Sequence, residues 1–107
     1  MTIIMKQGDR LPSLSVTAIT NDGSPYDLTG ATVVFNMRDV DTGTVKVNRS
    51  AAVLVDGPTG KIRYDWASSD LDTVGTFEAE FEATISSRKL SIPSNNWIPI
   101  RVIDDIA

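Results

Sequence analysis

The chain contains no cysteine and no histidine. Without cysteine there is no disulfide, no thiolate nucleophile and no zinc–sulfur or iron–sulfur centre. Without histidine the chain lacks the one side chain that titrates near neutrality unperturbed, and with it the commonest general base and metal ligand. Most hydrolytic and transition-metal chemistry is thereby disfavoured. There is no apolar run near the ~20 residues that a membrane helix needs, and the N-terminal MTIIMKQGDR has too short an apolar core for an export signal. Basic residues are few and dispersed: 10 Lys and Arg against 14 Asp and Glu give a formal charge of −4. The electrostatic footprint of a nucleic-acid binder is missing. A soluble chain with neither nucleic-acid nor membrane partners is the expectation.

Helical periodicity is also scarce, and what replaces it is alternation. In TFEAEFEATI, residues Phe77, Ala79, Phe81, Ala83 and Ile85 point one way while Thr76, Glu78, Glu80, Glu82 and Thr84 point the other, as in a strand with one dry face. The same period sets Leu14, Val16 and Ala18 inward, then Val33, Phe35 and Met37, then Ile62, Tyr64 and Trp66, then Ile98, Ile100 and Val102. VKVN and AAVLV are shorter strands. Turn signals separate them at NDGSP, DTG, DGPTG, TVG, SSRK and PSNN. WASSDLDTV supports one helical turn. No gap holds the crossover that consecutive parallel strands require. The reading is therefore an all-β, immunoglobulin-like antiparallel β-sandwich of about seven or eight strands. Residues 1–107 form one domain, a length sufficient for one core.

The candidate chemistry is thin. Glu78, Glu80 and Glu82 are spaced by two, which sets successive Cα atoms ~6.5–7 Å apart, within the range of glycosidase carboxylate pairs. A catalytic acid also needs an apolar pocket that raises its pKa, and no aromatic shares this face of the strand. The stripe is read as a wet face paired across strands with Lys61, Arg63 or Arg101. Asp70 and Asp72, with Asp104 and Asp105, offer oxygen ligands for calcium but lack the EF-hand order, so Asp70 is read as a turn cap. Ser68, Ser69, Ser86 and Ser87 have no histidine to activate them, and Lys89 lies in a polar loop. No glycine stretch has phosphate-loop spacing. No catalytic, cofactor-binding or metal-binding residue is assigned.

Binding residues are easier to nominate. Trp66 shares the inward face of its strand, whereas Trp97 alternates away from Ile98 and is a surface candidate. Pro99 cannot donate a ladder hydrogen bond and marks a free edge. In MTIIMKQGD, Ile3, Ile4 and Met5 are contiguous, so any single strand through them leaves a large apolar side chain on its wet face. Residues 1–10 are read as an edge strand or docking arm, with Ile3, Ile4, Met5, Trp97 and Pro99 as partner-binding residues.

The order DLTGATVVFNMRD (27–39), GPTGKIRYDW (57–66), DLDTVGTFEAEFEAT (70–84) and SIPSNNWIPIRVIDDI (91–106) resembles the immunoglobulin-like N-terminal domain of phage baseplate upper proteins, over roughly residues 11–106. Gly75, Phe77, Ala79, Glu80 and Phe81 stand at that family's G-x-[YF]-x-A-E-F strand. The resemblance implies a non-enzymatic virion structural protein, a docking module of the tail or baseplate that binds other virion subunits. It implies a homo-oligomeric arrangement in the particle, synthesis in the host cytoplasm and no cofactor. Family members continue into a further segment, whereas this chain stops at Ala107, so a standalone module is expected. The alternatives are a capsid or neck decoration protein, or a carbohydrate- or receptor-binding sandwich using Trp97 and Tyr26.

Overall fold

The computed structural model describes residues 2–106; Met1, the first residue of the candidate arm, lies outside them. Among the described residues there are nine strands and no helix. They are β1 (Ile3–Lys6), β2 (Leu14–Thr17), β3 (Thr32–Asp39), β4 (Val45–Ala51), β5 (Val53–Asp56), β6 (Lys61–Tyr64), β7 (Gly75–Ile85), β8 (Arg88–Ile92) and β9 (Ile98–Ile103). The larger sheet runs β1-β9-β7-β3-β4, with β8 also on β7; the smaller runs β2-β6-β5.

The centre of the larger sheet is β7, whose 11 residues are the alternating stretch. One of its edges pairs with β3 from Thr84↔Thr32 to Phe77↔Asp39. Its other edge is shared end to end. β9 takes Gly75 to Ala79 and β8 takes Phe81 to Ile85. Glu80 alone falls in the gap, opposite the loop that joins β8 to β9.

The inward residues of the two sheets meet in one core. Phe35, Met37, Phe77, Ala79, Phe81, Ala83, Ile100 and Val102 from the large sheet pack with Leu14, Ile62 and Tyr64 from the small one and with Trp66 beyond it. The aromatic rings hold the centre: Phe35 stacks on Tyr64 at 4.2 Å and meets Phe81 at 5.0 Å and Trp66 at 5.6 Å edge to face. The turn after Trp66 is closed by Asp70, buried, which accepts hydrogen bonds from the Tyr64 hydroxyl and from the Ala67 amide at 2.8 Å. The turn-cap reading of Asp70 therefore holds, and the cap reaches the core. Gly60 ties the β5–β6 hairpin down. Its φ is 70°, and a Cβ there would lie 2.5 Å from the Tyr26 carbonyl oxygen.

Three features differ from the expectation. The strand count is nine, because Arg88–Ile92 is a strand and SSRK is only the turn into it. That hairpin turns on two serines with positive φ, 49° and 65°, a conformation usually given to Asn-Gly, so the sequence carried no hairpin signal. The antiparallel expectation fails at one place: β1 pairs in parallel with β9, Ile3 opposite Ile100 and Lys6 opposite Ile103. The crossover rule constrains consecutive strands, and here the whole intervening chain is the connection. Finally, WASSDLDTV makes a turn over Ser68–Leu71 without becoming a helix.

Two outcomes are expected. Phe81→Ala should lower the unfolding free energy by about 3–5 kcal/mol, measured by chemical denaturation; a change below about 1 kcal/mol would show the core is centred elsewhere. Burial, reinforced by the bond to Asp70, pushes the Tyr64 hydroxyl up from 10.0 to about 12. The fold thus favours the neutral phenol, and this stabilisation is complete below about pH 10 and lost as pH rises toward about 12. Tyr64→Phe should abolish that alkaline component of the stability profile, and an unchanged profile would show that Tyr64 is not its source.

Candidate partner-binding interface

Cross-strand partners share a face, so the register maps the outer surface of the large sheet row by row. One row reads Ile4, Arg101, Thr76. The next reads Pro99, Glu78, Arg38, Val45. The third holds Glu80 and Asn36, and opposite Asn36 the β4 strand bulges, placing both Asn48 and Arg49 between Val47 and Ser50. Arg49 takes a positive φ of 53°, and its amide donates to Asn36 Oδ1 at 2.7 Å. The bulge re-aims a side chain, as bulges do: the Arg49 guanidinium reaches Glu82 Oε2 at 2.6 Å.

Two of the three glutamates of the stripe are paired, though with other cations than the sequence indicated. Arg38 binds Glu78 at 2.6 Å; Arg49 and Lys89 bind Glu82 at 2.6 and 3.3 Å. Lys61 and Arg63 lie on the smaller sheet, and Arg101 stands opposite Thr76. Glu82 is only 8% exposed, which corrects the wet-face reading at that position: flanking side chains of β8 and β4 close over it. Glu80 makes no ion pair among the described residues.

An aromatic does cover this face, supplied by the loop before β9. The Trp97 ring, 48% exposed, lies 4.9 Å from the Arg38 guanidinium carbon. Together with Asn36, Arg38, Val45, Asn48, Glu78 and Glu80 it borders an open groove of about 210 Å³.

The five nominated residues separate by strand parity. Ile4, Trp97 and Pro99 share the outer face, where Ile4 is 61% exposed. Met5 is buried in the chain's own core, and Ile3 packs against it. Pro99 sits opposite Glu78, one residue before the β1 pairing begins at Ile100, so β9 has no β1 partner there. Reading by sequence missed Arg38, Asn36, Val45 and Asn48, because their membership of the face depends on which strand lies beside β7. The exposed valine of VKVN was the available signal.

The other candidates have local roles. Asp72 pairs with Lys46 at 2.5 Å, and that bond, with one from the Thr73 hydroxyl, holds its carboxyl below the usual range. Among the described residues no group of three acidic side chains converges as a metal site would require. Tyr26, the second aromatic of the carbohydrate reading, packs against the core. A larger groove of about 480 Å³ separates β2 from β8 and is lined by uncharged side chains including Val16, Ile19, Leu90 and Ile98.

Comparison with known families matches residues 2–96 to the BppU N-terminal domain. The matched span includes β1 and ends just before Trp97 and β9. Among solved structures, the N-terminal domain of phage TP901-1 ORF48 is similar in fold, with a TM-score of 0.60 and 18% identity over 98% of this chain and 85% of that one. No curated protein matches the chain in sequence.

The unequal environments of the glutamates give a paired prediction. Glu82→Gln should cost about 1 kcal/mol, since it breaks two charged contacts at a buried position. Glu80→Gln should stay within about 0.5 kcal/mol of the parent. Equal losses in urea unfolding would show that burial and pairing do not distinguish the two.

Proposed function

From the premise that this chain belongs to the BppU N-terminal domain family, a structural module of phage baseplates, we propose that it is a non-enzymatic docking module that binds other virion subunits through the outer face and β1 edge of its large sheet. The observation that carries this reading is that Ile4, Pro99 and Trp97 share one face, beside a strand edge with no partner among the described residues. Edge strands present unpaired N–H and C=O groups to other chains, and natural sheets guard against this with charge. Here the outward side chains of the edge are Ile4 and Lys6, so the charge stands only at the strand's end and an isoleucine at its middle. Val45, 56% exposed, extends the apolar character across the sheet among ion pairs, the mixture typical of subunit contacts.

The module would occur in several copies around the particle. Repetition matters energetically, because linked contacts gain effective concentration and let individually weak interfaces order an assembly. The carbohydrate reading retains Trp97 alone among its aromatics.

Ile4→Lys tests the docking edge directly. Ile4 is exposed, so the variant should melt within about 2–4 °C of the parent, yet its copy number in purified virions, measured by quantitative mass spectrometry, should fall severalfold. Wild-type copy number would remove the β1 edge from the interface. Absence of the parent chain itself from virions would overturn the reading as a whole.

A further inference from the structure

The charge arrangement around Glu80 specifies what the groove beside Trp97 accepts. Three outward carboxylates stand in line on β7, and the two at the ends are neutralised within the chain, Glu78 by Arg38 and Glu82 by Arg49 and Lys89. Glu80 is not, and the register explains why. Its partner on β3 is the neutral Asn36. On its other side β7 has no strand neighbour, because β8 ends opposite Phe81 and β9 begins opposite Ala79. The neighbouring cations are engaged elsewhere: Arg49, in the same row, reaches Glu82, and Arg38 is bonded to Glu78 through both Nε and Nη2, with its guanidinium against Trp97. What remains open in the groove is a half-buried carboxylate, a half-exposed indole and two asparagine side chains.

We infer that this groove takes a basic side chain, arginine or lysine, presented by a neighbouring protein subunit. A cation there neutralises Glu80 and borders the Trp97 ring, two contacts that reinforce one another where water is partly excluded. The chain's own charge of −4 favours a basic partner surface. An anionic ligand would meet an uncompensated carboxylate. A neutral sugar would leave that carboxylate without a counter-charge. The inference rests on the docking reading for the source of the side chain, and on the register of β7 for the chemistry.

The test uses the isolated 107-residue chain and small probes. The indole N–H resonance of Trp97, assigned by its loss in Trp97→Phe, is followed by NMR during addition of N-acetyl-arginine amide, of the uncharged citrulline counterpart and of N-acetylglucosamine. The arginine probe should produce a saturable shift that weakens with added salt. Affinity should fall about three- to fivefold for the citrulline probe and for Glu80→Gln with the arginine probe. Equal response to arginine and citrulline overturns the inference in the parent chain, independently of how any variant folds. So does preferential binding of the sugar, or unchanged arginine affinity in Glu80→Gln. Because no virion is involved, such a failure removes the basic-side-chain site and leaves incorporation into particles to be judged by Ile4→Lys.

Discussion

The length of β7 is the constraint from which the rest follows. At 11 residues it exceeds every other strand of the domain, so no single neighbour on its β8/β9 edge covers it, and two shorter strands share that edge. Its inward residues alternate phenylalanine and alanine, and the small residues leave room for the rings of Phe35 and the opposite sheet to interdigitate. Its outward residues carry the charge. One strand thus fixes the centre of the core, the division of labour between β8 and β9, and the position at which a carboxylate is left without a neighbour.

The same arrangement explains why the candidate interface lies where it does. Handing over from β8 to β9 requires a loop, and the loop carries Trp97 onto the outer face. β9 can begin with Ile98-Pro99 because the β1 pairing starts only at Ile100. β1 then closes that side of the sheet with Met5 in the core and Ile4 outside. The contiguous apolar triplet that looked uneconomical for a lone strand is resolved by parity: alternate residues serve the core, and the middle one is exposed on the outer face.

Legibility followed the range of the interactions. The inward residues of β3, β6, β7 and β9 were readable because period-two alternation is local, and Asp70 was readable as a cap because its bond to Ala67 spans three residues. The β8 strand was not, since its hairpin uses Ser86-Ser87 in place of the usual turn residues. Nor was the parallel β1–β9 pair, which joins the two ends of the chain. For the interface, exposure of Trp97 and of one residue among Ile3, Ile4 and Met5 was legible, whereas the pairing of Glu78 with Arg38 and of Glu82 with Arg49 was not. Those pairs depend on strand adjacency and on a bulge, and no local pattern encodes either. The family resemblance supplied the class of module, and the register shows which side chains share its outer face.

A density map of the intact virion at side-chain resolution tests the central claim most directly. The chain is expected in the tail or baseplate with the outer face of its large sheet against a neighbouring subunit, the β1 edge covered and a basic side chain within hydrogen-bonding distance of Glu80. A chain whose large sheet faces solvent, with contacts confined to the smaller sheet or to the groove between β2 and β8, would contradict it.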